Sequence, residues 1–512
     1  MQHLNTDRNA TPDELEYDEI LEKIGYGKTQ WILLIVSGLL TITSVAAQTS
    51  MGIVVLASHC EFHTTQSEKG VMMAACVAGI FLSNYIWGYV SDAIGRRSVL
   101  LYGIFICNGL QFILMFVSSV WLFNIINLIC GISLGGVSGG LYPYLSEFNI
   151  PRHRAVTINY STMFVSLTAI YVPATAWLIL SSDWSINLLG DFVFRPWRLI
   201  MLCNLLPGLI GGLILIIYPE SPKILLSLNK DREALDAVDW ISKFNRGLTI
   251  NQVLNRNEFT LKPEIQSDEN ILANHRGCNI LINIARATRP LFQKPHGFNF
   301  ILCNVAVIGL FFSSNGMQFW FPEIVNRTSS TGSNTSSTVC EILDNSFMQP
   351  VNNASMTDSV VCINPISTKT YIDNMIVGVA FLIGFSVQGL LLNPFGRKNV
   401  LMGAIFFSIL SGILLHIVSN TTAVLALFCL YILLPGLSIS IMLGAIVDLV
   451  PTHLRGKAVS LSMSLGRLGI IAATNLIGIM LEPYCNTTFA LLTFILIVCI
   501  ITVFRLPIKN SE

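Results

Sequence analysis

The stretch Gly88-Tyr-Val-Ser-Asp92-Ala-Ile-Gly95-Arg96-Arg97 returns as Gly389-Leu-Leu-Leu-Asn393-Pro-Phe-Gly396-Arg397-Lys398, 301 residues further along the chain. A second pair keeps the same offset. Glu147 stands seven positions before Arg154, and Asp448 stands seven positions before Arg455. Two motifs that share one offset mark an internal duplication. Each motif follows a long apolar stretch, so the duplicated unit is a set of membrane helices.

Working outward, twelve stretches reach the roughly 20 apolar residues that a helix needs to cross a bilayer. Six precede the midpoint: Trp31–Leu56, Val71–Val90, Val99–Val117, Val120–Leu141, Asn159–Leu180 and Arg198–Tyr218. Six follow it: Phe298–Phe321, Tyr371–Leu392, Val400–Ser419, Ala423–Val447, Val459–Leu481 and Phe489–Leu506. The expected organisation is an N-terminal segment 1–30, a six-helix bundle 31–218, a linker loop 219–297, a second bundle 298–506 with an outward loop 323–370, and a tail 507–512. The fold class is therefore all-α and membrane-integral.

Composition agrees. Of 512 residues, 53% are hydrophobic and 12% charged, with a mean hydropathy of +0.64. Soluble domains carry about twice that share of charge. The balance of 30 basic against 30 acidic residues excludes a nucleic-acid binder acting through a basic surface. High hydrophobicity excludes global disorder. The acidic start (Asp13, Glu14, Glu16, Asp18) is unlike the basic region of a cleavable signal peptide. Leu15, Ile20, Leu21 and Ile24 predict a short amphipathic helix there, and Asp231–Asn245 predicts another in the linker, stopped by Gly247.

Short loops after spans 2, 4, 8 and 10 carry Arg96, Arg97, Arg152, Arg154, Arg397, Lys398, Arg455 and Lys457. By the positive-inside rule both termini are expected in the cytoplasm. The opposite loop 323–370 holds the sequons at Asn326, Asn334 and Asn353, which are expected to carry N-glycans in the secretory pathway. Cys340 and Cys362 share that oxidising side and are the expected disulfide; Cys60 and Cys485 form a second conceivable pair. The expected location is the plasma membrane or a secretory or synaptic-type vesicle.

The repeated motifs read as a conformational latch. Gly88 and Gly389 would permit close helix approach, and Gly95 and Gly396 would relieve tight turns. Asp92 is placed to face a helix N-terminus. Arg96, Arg97 and Arg154 are placed to pair with Glu147 and Asp92, holding one arrangement of two bundles and releasing in another.

On these residues the chain resembles the major facilitator superfamily. Trp197-Arg198 and Pro219-Glu220-Ser221-Pro222-Lys223 around span 6 resemble its sugar-porter and organic-ion branch. Within it, the synaptic vesicle glycoprotein two family is most similar. The matching residues are Gly25-Tyr-Gly-Lys-Thr-Gln-Trp31, His59-Cys60-Glu61, Gly135-Gly136 with Tyr144 and Glu147, and Gly316-Met-Gln-Phe-Trp320-Phe-Pro322-Glu323. The resemblance implies two pseudo-symmetric bundles and secondary transport of a small organic solute by alternating access. The alternative it allows is a transporter-shaped receptor or trafficking glycoprotein. Asn393 departs from the acid of the first motif copy. Span 1 lacks the carboxylate of many proton-coupled relatives, so the coupling ion stays unassigned.

Polar groups inside lipid usually face a cavity or the bundle interior. The candidates for substrate contact are Gln48, Tyr142, Tyr144, Tyr171, Asn315, Gln318, Trp320, Gln388, Tyr431, Arg467 and Asn475. Amides and aromatic rings suit a neutral or cationic solute, and Arg467 reads as snorkelling or ion-paired. Gly131, Gly135 and Gly139, spaced by four, read as helix packing rather than a nucleotide loop. No metalloprotease, nucleophile-elbow or Walker pattern occurs, so no enzyme, cofactor or metal is expected. The partners are a small organic solute and the bilayer, with the chain functional as a monomer.

Overall fold

The computed structural model describes residues 14–182, 184–189, 192–255, 259–262, 288–330, 338–348, 366–451 and 454–508. Among them, twelve helices are long and apolar enough to cross a membrane. Spans 1 to 6 are Lys28–Thr49, Gln66–Ile94, Arg96–Leu114, Val120–Glu147, Pro151–Leu180 and Trp197–Leu215. Spans 7 to 12 are Gly297–Ser330, Thr368–Phe395, Arg397–Leu414, Thr421–Leu449, Arg455–Met480 and Cys485–Arg505. Helices satisfy their own backbone hydrogen bonds, which lipid cannot do for them.

The helices form two bundles of six. In the first, spans 2, 3 and 4 pack together and span 1 packs on spans 5 and 6; in the second, span 7 packs on spans 10, 11 and 12. Small residues set the closest approaches: a Cβ at Gly79 would run into the Leu128 carbonyl, and one at Gly131 into the Cys76 carbonyl. The packing reading of the Gly131 series is thereby accounted for.

An even number of spans puts both ends of the described chain on one face, here called basal; the other is distal. On the basal face the helix Tyr17–Ile24 buries Tyr17, Ile20, Leu21 and Ile24, as its apolar pattern predicts. It packs against the linker helix Asp231–Arg246, which ends at Gly247 with φ +73°. Asn245 Oδ1 accepts from the Thr29 amide at 2.8 Å, and Trp240 packs on Tyr218. The linker helix therefore belongs to the first bundle rather than lying under both. Glu14–Leu15 pairs in parallel with Thr260–Leu261, and a distal hairpin joins Ile186–Leu189 to Phe192–Phe194.

Two expectations need correction. Span 7 does not end at Phe321 but continues to Ser330, so Glu323 and Asn326 lie in the helix and not in a loop. Cys340 pairs with Cys485, with Cα atoms 5.6 Å apart, and therefore with neither Cys362 nor the alternative that joined Cys485 to Cys60. Cys340 sits in the helix Val339–Met348, which lies against the start of span 12. Cys362, Asn334 and Asn353 lie outside the described residues.

Candidate functional site: the seam between two bundles

The basal corner of the first bundle is assembled around a turn that only glycine tolerates. Gly95 joins spans 2 and 3 at φ +106°, and any side chain there would run into the Glu220 carboxylate. Glu220 accepts from the Arg97 amide at 2.8 Å and the Ser98 amide at 3.3 Å. It thus caps the positive N-terminus of span 3. Asp92, expected in that role, instead pairs with Arg96 at 3.5 Å from a largely exposed position. Arg96 also pairs with Glu147 at 2.9 Å, both side chains being mostly buried.

Arg97 and Arg154 do not join this acidic cluster as expected. Arg97 donates to the Leu215 and Ile216 carbonyls at 3.3 and 2.6 Å, at the C-terminal end of span 6. Arg154 donates to the Ser146 and Asn149 carbonyls and pairs with Asp18 at 2.6 Å. Lys223 reaches the same Asp18 oxygen at 3.1 Å, and the Tyr17 hydroxyl donates to the Glu147 carbonyl at 2.9 Å. The amphipathic N-terminal helix is in this way stitched to the loops after spans 4 and 6.

The second copy repeats the chemistry with fewer parts. Gly396 turns at φ +76°, Arg397 pairs with Asp448, and Arg455 donates to the Val450 carbonyl at 3.4 Å. Lys398 donates to the Phe504 and Leu506 carbonyls at 3.0 and 2.9 Å. The side chain of Asn393 lies outside the described residues.

These contacts form a reciprocal pattern. Arg97 is the second residue of span 3 and caps the end of span 6. Arg198 is the second residue of span 6 and donates to the Met115 and Val117 carbonyls at the end of span 3. Each of two antiparallel helices thereby neutralises the negative C-terminus of the other. Arg198 is fully buried, pairs with Glu61, and Trp197 Nε1 donates to the same carboxylate at 3.0 Å.

Between the bundles, spans 2 and 11 and spans 5 and 8 form the seam. At its distal end Gly70 lies against the Thr474 carbonyl and Gly478 against the Gln66 carbonyl. Lys69 of span 2 and Glu323 of span 7 form an ion pair at 2.9 Å, each only 1% exposed. Arg327 reaches the same Glu323 oxygen at 2.7 Å, and Gln66 Nε2 donates to it at 3.5 Å. His59 lies beside this cluster with a buried Nδ1 that has no hydrogen-bond partner. Burial, then the Lys69 charge, holds its pKa below the ordinary 6.5.

Towards the basal end the seam opens. Spans 2 and 11 still meet where Asn84 Nδ2 donates to Ser464 Oγ at 3.2 Å. One turn further on the same face of span 2, nothing lies within 4 Å of a Cβ built on Gly88. Spans 5 and 8 meet at Gly378 against Ala169, yet Gly389, about three turns further on the same face, again has nothing within 4 Å. The motif glycines, expected at close helix contacts, therefore face an opening.

The polar candidates divide. Tyr144 turns its hydroxyl to the Pro219 carbonyl at 2.7 Å on the basal face, away from the mid-membrane position expected of a substrate contact. Tyr171 donates to the Cys203 carbonyl at 2.6 Å, Trp320 to the Thr474 carbonyl at 3.0 Å, and Gln388 to the Leu437 carbonyl and Ser440. Tyr431 is buried against Gly412. These five hold helices together. Gln48 and Asn475 bond to carbonyls of their own helices at 2.8 Å, and with Tyr142, Asn315 and Gln318 stay partly accessible. Arg467 is in no ion pair among the described residues, and its Nη1 is buried without a hydrogen-bond partner. It neither snorkels into a bond nor pairs.

Sequence reasoning missed the Lys69–Glu323 pair, Glu220 as a cap and Asp18 as a tether. Their only signal was an acid beside an apolar run, which is also how ordinary loop charge looks.

The model of the Major Facilitator Superfamily matches residues 34–342, more than half of the chain, and the chain belongs to that superfamily. Among curated relatives, synaptic vesicle glycoprotein 2C of Mus musculus is 25% identical over 343 residues, covering 64% of this chain and 47% of the relative. Synaptic vesicle glycoprotein 2A of Homo sapiens is 24% identical over 325 residues, covering 61% and 44%. The chain thus spans about half the length of the curated relatives it matches. Among solved structures, a partially occluded inward open conformation of the xylose transporter XylE from E. coli superimposes with a TM-score of 0.65 at 15% identity. That match covers 94% of this chain and 100% of the other, and shows the shared fold.

Proposed function

We propose that this protein is a transporter that moves a small organic solute across its membrane by alternating access, the basal face being cytosolic. The observation that carries the reading is the asymmetry of the seam. It is closed distally by the buried Lys69–Glu323 pair and opens basally at Gly88 and Gly389. A solute site between the bundles would then be reached from the basal side in this state.

In the opposite state the basal ends must meet. Gly88 and Gly389 are the positions that leave room for that meeting, and the Arg96–Glu147 and Arg397–Asp448 pairs steady the corners on either side. The rocking units are 31–218 with its linker helix and 298–506. The solute lies among Gln48, Tyr142, Asn315, Gln318, Arg467 and Asn475, on spans 1, 4, 7 and 11. Asn334 and Asn353 are the glycan acceptors of this reading. Asn326 is not, because it is helical and its Oδ1 accepts from the Ser367 amide at 3.0 Å.

The test is uptake of a broad solute panel into proteoliposomes holding the purified chain, with and without a pH gradient. Saturable uptake lost on Arg97→Ala supports the proposal. Absence of uptake, with a panel member that still raises the melting temperature, would make the protein a receptor of the same fold.

A further inference from the structure

We propose that a sodium ion binds inside the first bundle, between spans 1, 3 and 6, on the side-chain oxygens of Asn108, Gln111 and Asn204. The binding itself stands apart from the transport reading. The coupling of that ion to solute movement rests on that reading, and names the ion that the lack of a span 1 carboxylate left open.

Two neighbouring helices are interrupted where they meet. Span 1 ends at Thr49, and the short helix Met51–Ala57 begins after Ser50. Span 6 carries Pro207 inside it, which removes an amide donor; the Cys203 carbonyl receives the Tyr171 hydroxyl at 2.6 Å instead. The Thr43 hydroxyl of span 1 wedges into the same turn, accepting from the Gly208 amide at 2.6 Å and donating to the Asn204 carbonyl at 2.9 Å. A side chain inserted in this way loosens a helix. Asn204 Nδ2 donates to Ser50 Oγ at 2.8 Å, so the two interruptions are joined. Interrupted helices are a common seat for ions in membrane transporters.

Span 3 closes the site. A Cβ on Gly208 would meet Ile104, so the stripe Ile104, Asn108, Gln111 of span 3 faces the stripe Gly208, Asn204 of span 6. Asn108 is the thirteenth of 19 residues in span 3, and Asn204 the eighth of 19 in span 6. Antiparallel packing puts both about 10 Å from the distal ends of their helices. The three amides are between 1% and 6% exposed. Among the described residues, Asn108 Oδ1, Gln111 Oε1 and Asn204 Oδ1 nevertheless have no hydrogen-bond partner, nor has Asn108 Nδ2. Gln111 and Asn204 have committed their nitrogens to Cys107 Sγ at 3.7 Å and to Ser50. What remains is an excess of oxygen acceptors, the chemistry that holds a hard cation. Spans 1, 3 and 6 contain no Asp or Glu, so a divalent charge would go unbalanced, whereas carbonyl-type oxygens can replace the water shell of a monovalent ion. The packing at Gly208 is tight, with Thr43 atoms 2.8 Å from an added Cβ, which favours sodium over the larger potassium. The site also adjoins the moving parts. Gln48, a solute candidate, lies two residues before Ser50, and Gly52 lies two after it, against the Phe319 carbonyl of span 7.

The purified full chain is melted in detergent over a sodium chloride titration, with choline chloride holding the ionic strength constant. Sodium is expected to raise the melting temperature saturably, by about 2–4 °C, and potassium to do less. Asn108→Leu removes an unsatisfied amide, so it should leave the sodium-free melting temperature unchanged or higher while abolishing the response. An asparagine that only supports the fold would lower it. Asn108→Asp places a carboxylate beside the ion, and should tighten sodium binding about tenfold and let calcium compete. A potassium or choline response as large as that to sodium, or a sodium response that survives Asn108→Leu, would overturn the site and leave its oxygens to water. Proteoliposome uptake under a sodium gradient tests the coupling. Uptake that ignores the gradient while sodium still stabilises the protein overturns the coupling alone. Sodium stabilisation that needs Asn108, with no panel solute taken up, sinks transport and leaves the ion site standing.

Discussion

Removing the carboxylate at the distal end of the seam should swing the protein towards a state open on that side. Glu323 is 1% exposed and receives Lys69 at 2.9 Å, Arg327 at 2.7 Å and Gln66 at 3.5 Å on one oxygen. In Glu323→Gln, Lys69 remains buried with its partner charge gone. Breaking a buried pair from one side costs about 3–5 kcal/mol. The pair spans the bundles, so that cost falls on the distally closed state, which separates Lys69 from water. At about 1.4 kcal/mol per factor of ten, the equilibrium moves by two to nearly four powers of ten. The assay introduces a single cysteine at Gln318, in the protein otherwise unchanged, and measures its labelling by a membrane-impermeant thiol reagent from the distal face. The protein without that cysteine serves as the blank. Labelling should rise sharply in Glu323→Gln. It should fall back in Lys69→Met combined with Glu323→Leu, since an apolar pair of similar size restores closure without charge. Arg327, partly exposed, can turn to water in that double variant. Unchanged labelling in the single variant, or a double variant as open as the single, would refute the gate.

Three further outcomes follow from the geometry. His59 has its pKa lowered by burial and then by Lys69 and Arg327, against the opposing pull of Glu323, with His63 a further small influence. Its neutral form therefore favours the closed distal end; that contribution is complete above pH 6.5 and is lost as pH falls through the lowered pKa. The same cysteine labelling should rise on acidification, and His59→Gln should flatten the profile. Gly95→Ala forces a side chain into a backbone of φ +106° and onto the Glu220 carboxylate, and should lower stability by about 1–3 kcal/mol. Glu220→Gln, which only weakens the cap, should cost about 1 kcal/mol or less, and thermal melts in detergent rank the two. Cys340 and Cys485 close a loop across 145 residues of sequence. Non-reducing peptide mapping should recover the two peptides joined, and Cys340→Ser should lower stability by about 2–4 kcal/mol.

The architecture was legible because lipid leaves so few choices. Twelve apolar stretches and a repeated Gly-Arg-basic motif are enough to specify paired bundles, and Arg397–Asp448 stands to Arg96–Glu147 as the 301-residue offset requires. Partner choice was less legible, because a basic residue at a helix start has two electrostatic options. It can meet a carboxylate, as Arg96 does, or the C-terminal carbonyls of a neighbouring helix, as Arg97 does. Only the antiparallel packing of spans 3 and 6 decides between them. Span length misled at Glu323 for a related reason. A carboxylate ordinarily ends a hydrophobic run, but here Lys69 and Arg327 neutralise it, so the helix continues. The amide and aromatic candidates scattered because a buried hydroxyl or amide bonds to a helix carbonyl as readily as it faces a cavity. Cysteine pairing failed because Cys362 was judged by nearness in sequence, whereas Cys485 comes close to Cys340 only once span 12 has folded against span 7.

The disulfide also makes the distal helix Val339–Met348 a handle on one moving half. It is tied by Cys340 to the head of span 12 and rests on span 7, so among the described residues its main attachments are to the second bundle. An antibody fragment that grips this helix rigidly would travel with that bundle. A second fragment on the Ile186–Phe194 hairpin would travel with the first. The separation of two such labels would then report, from outside the membrane, the angle between the bundles in each state.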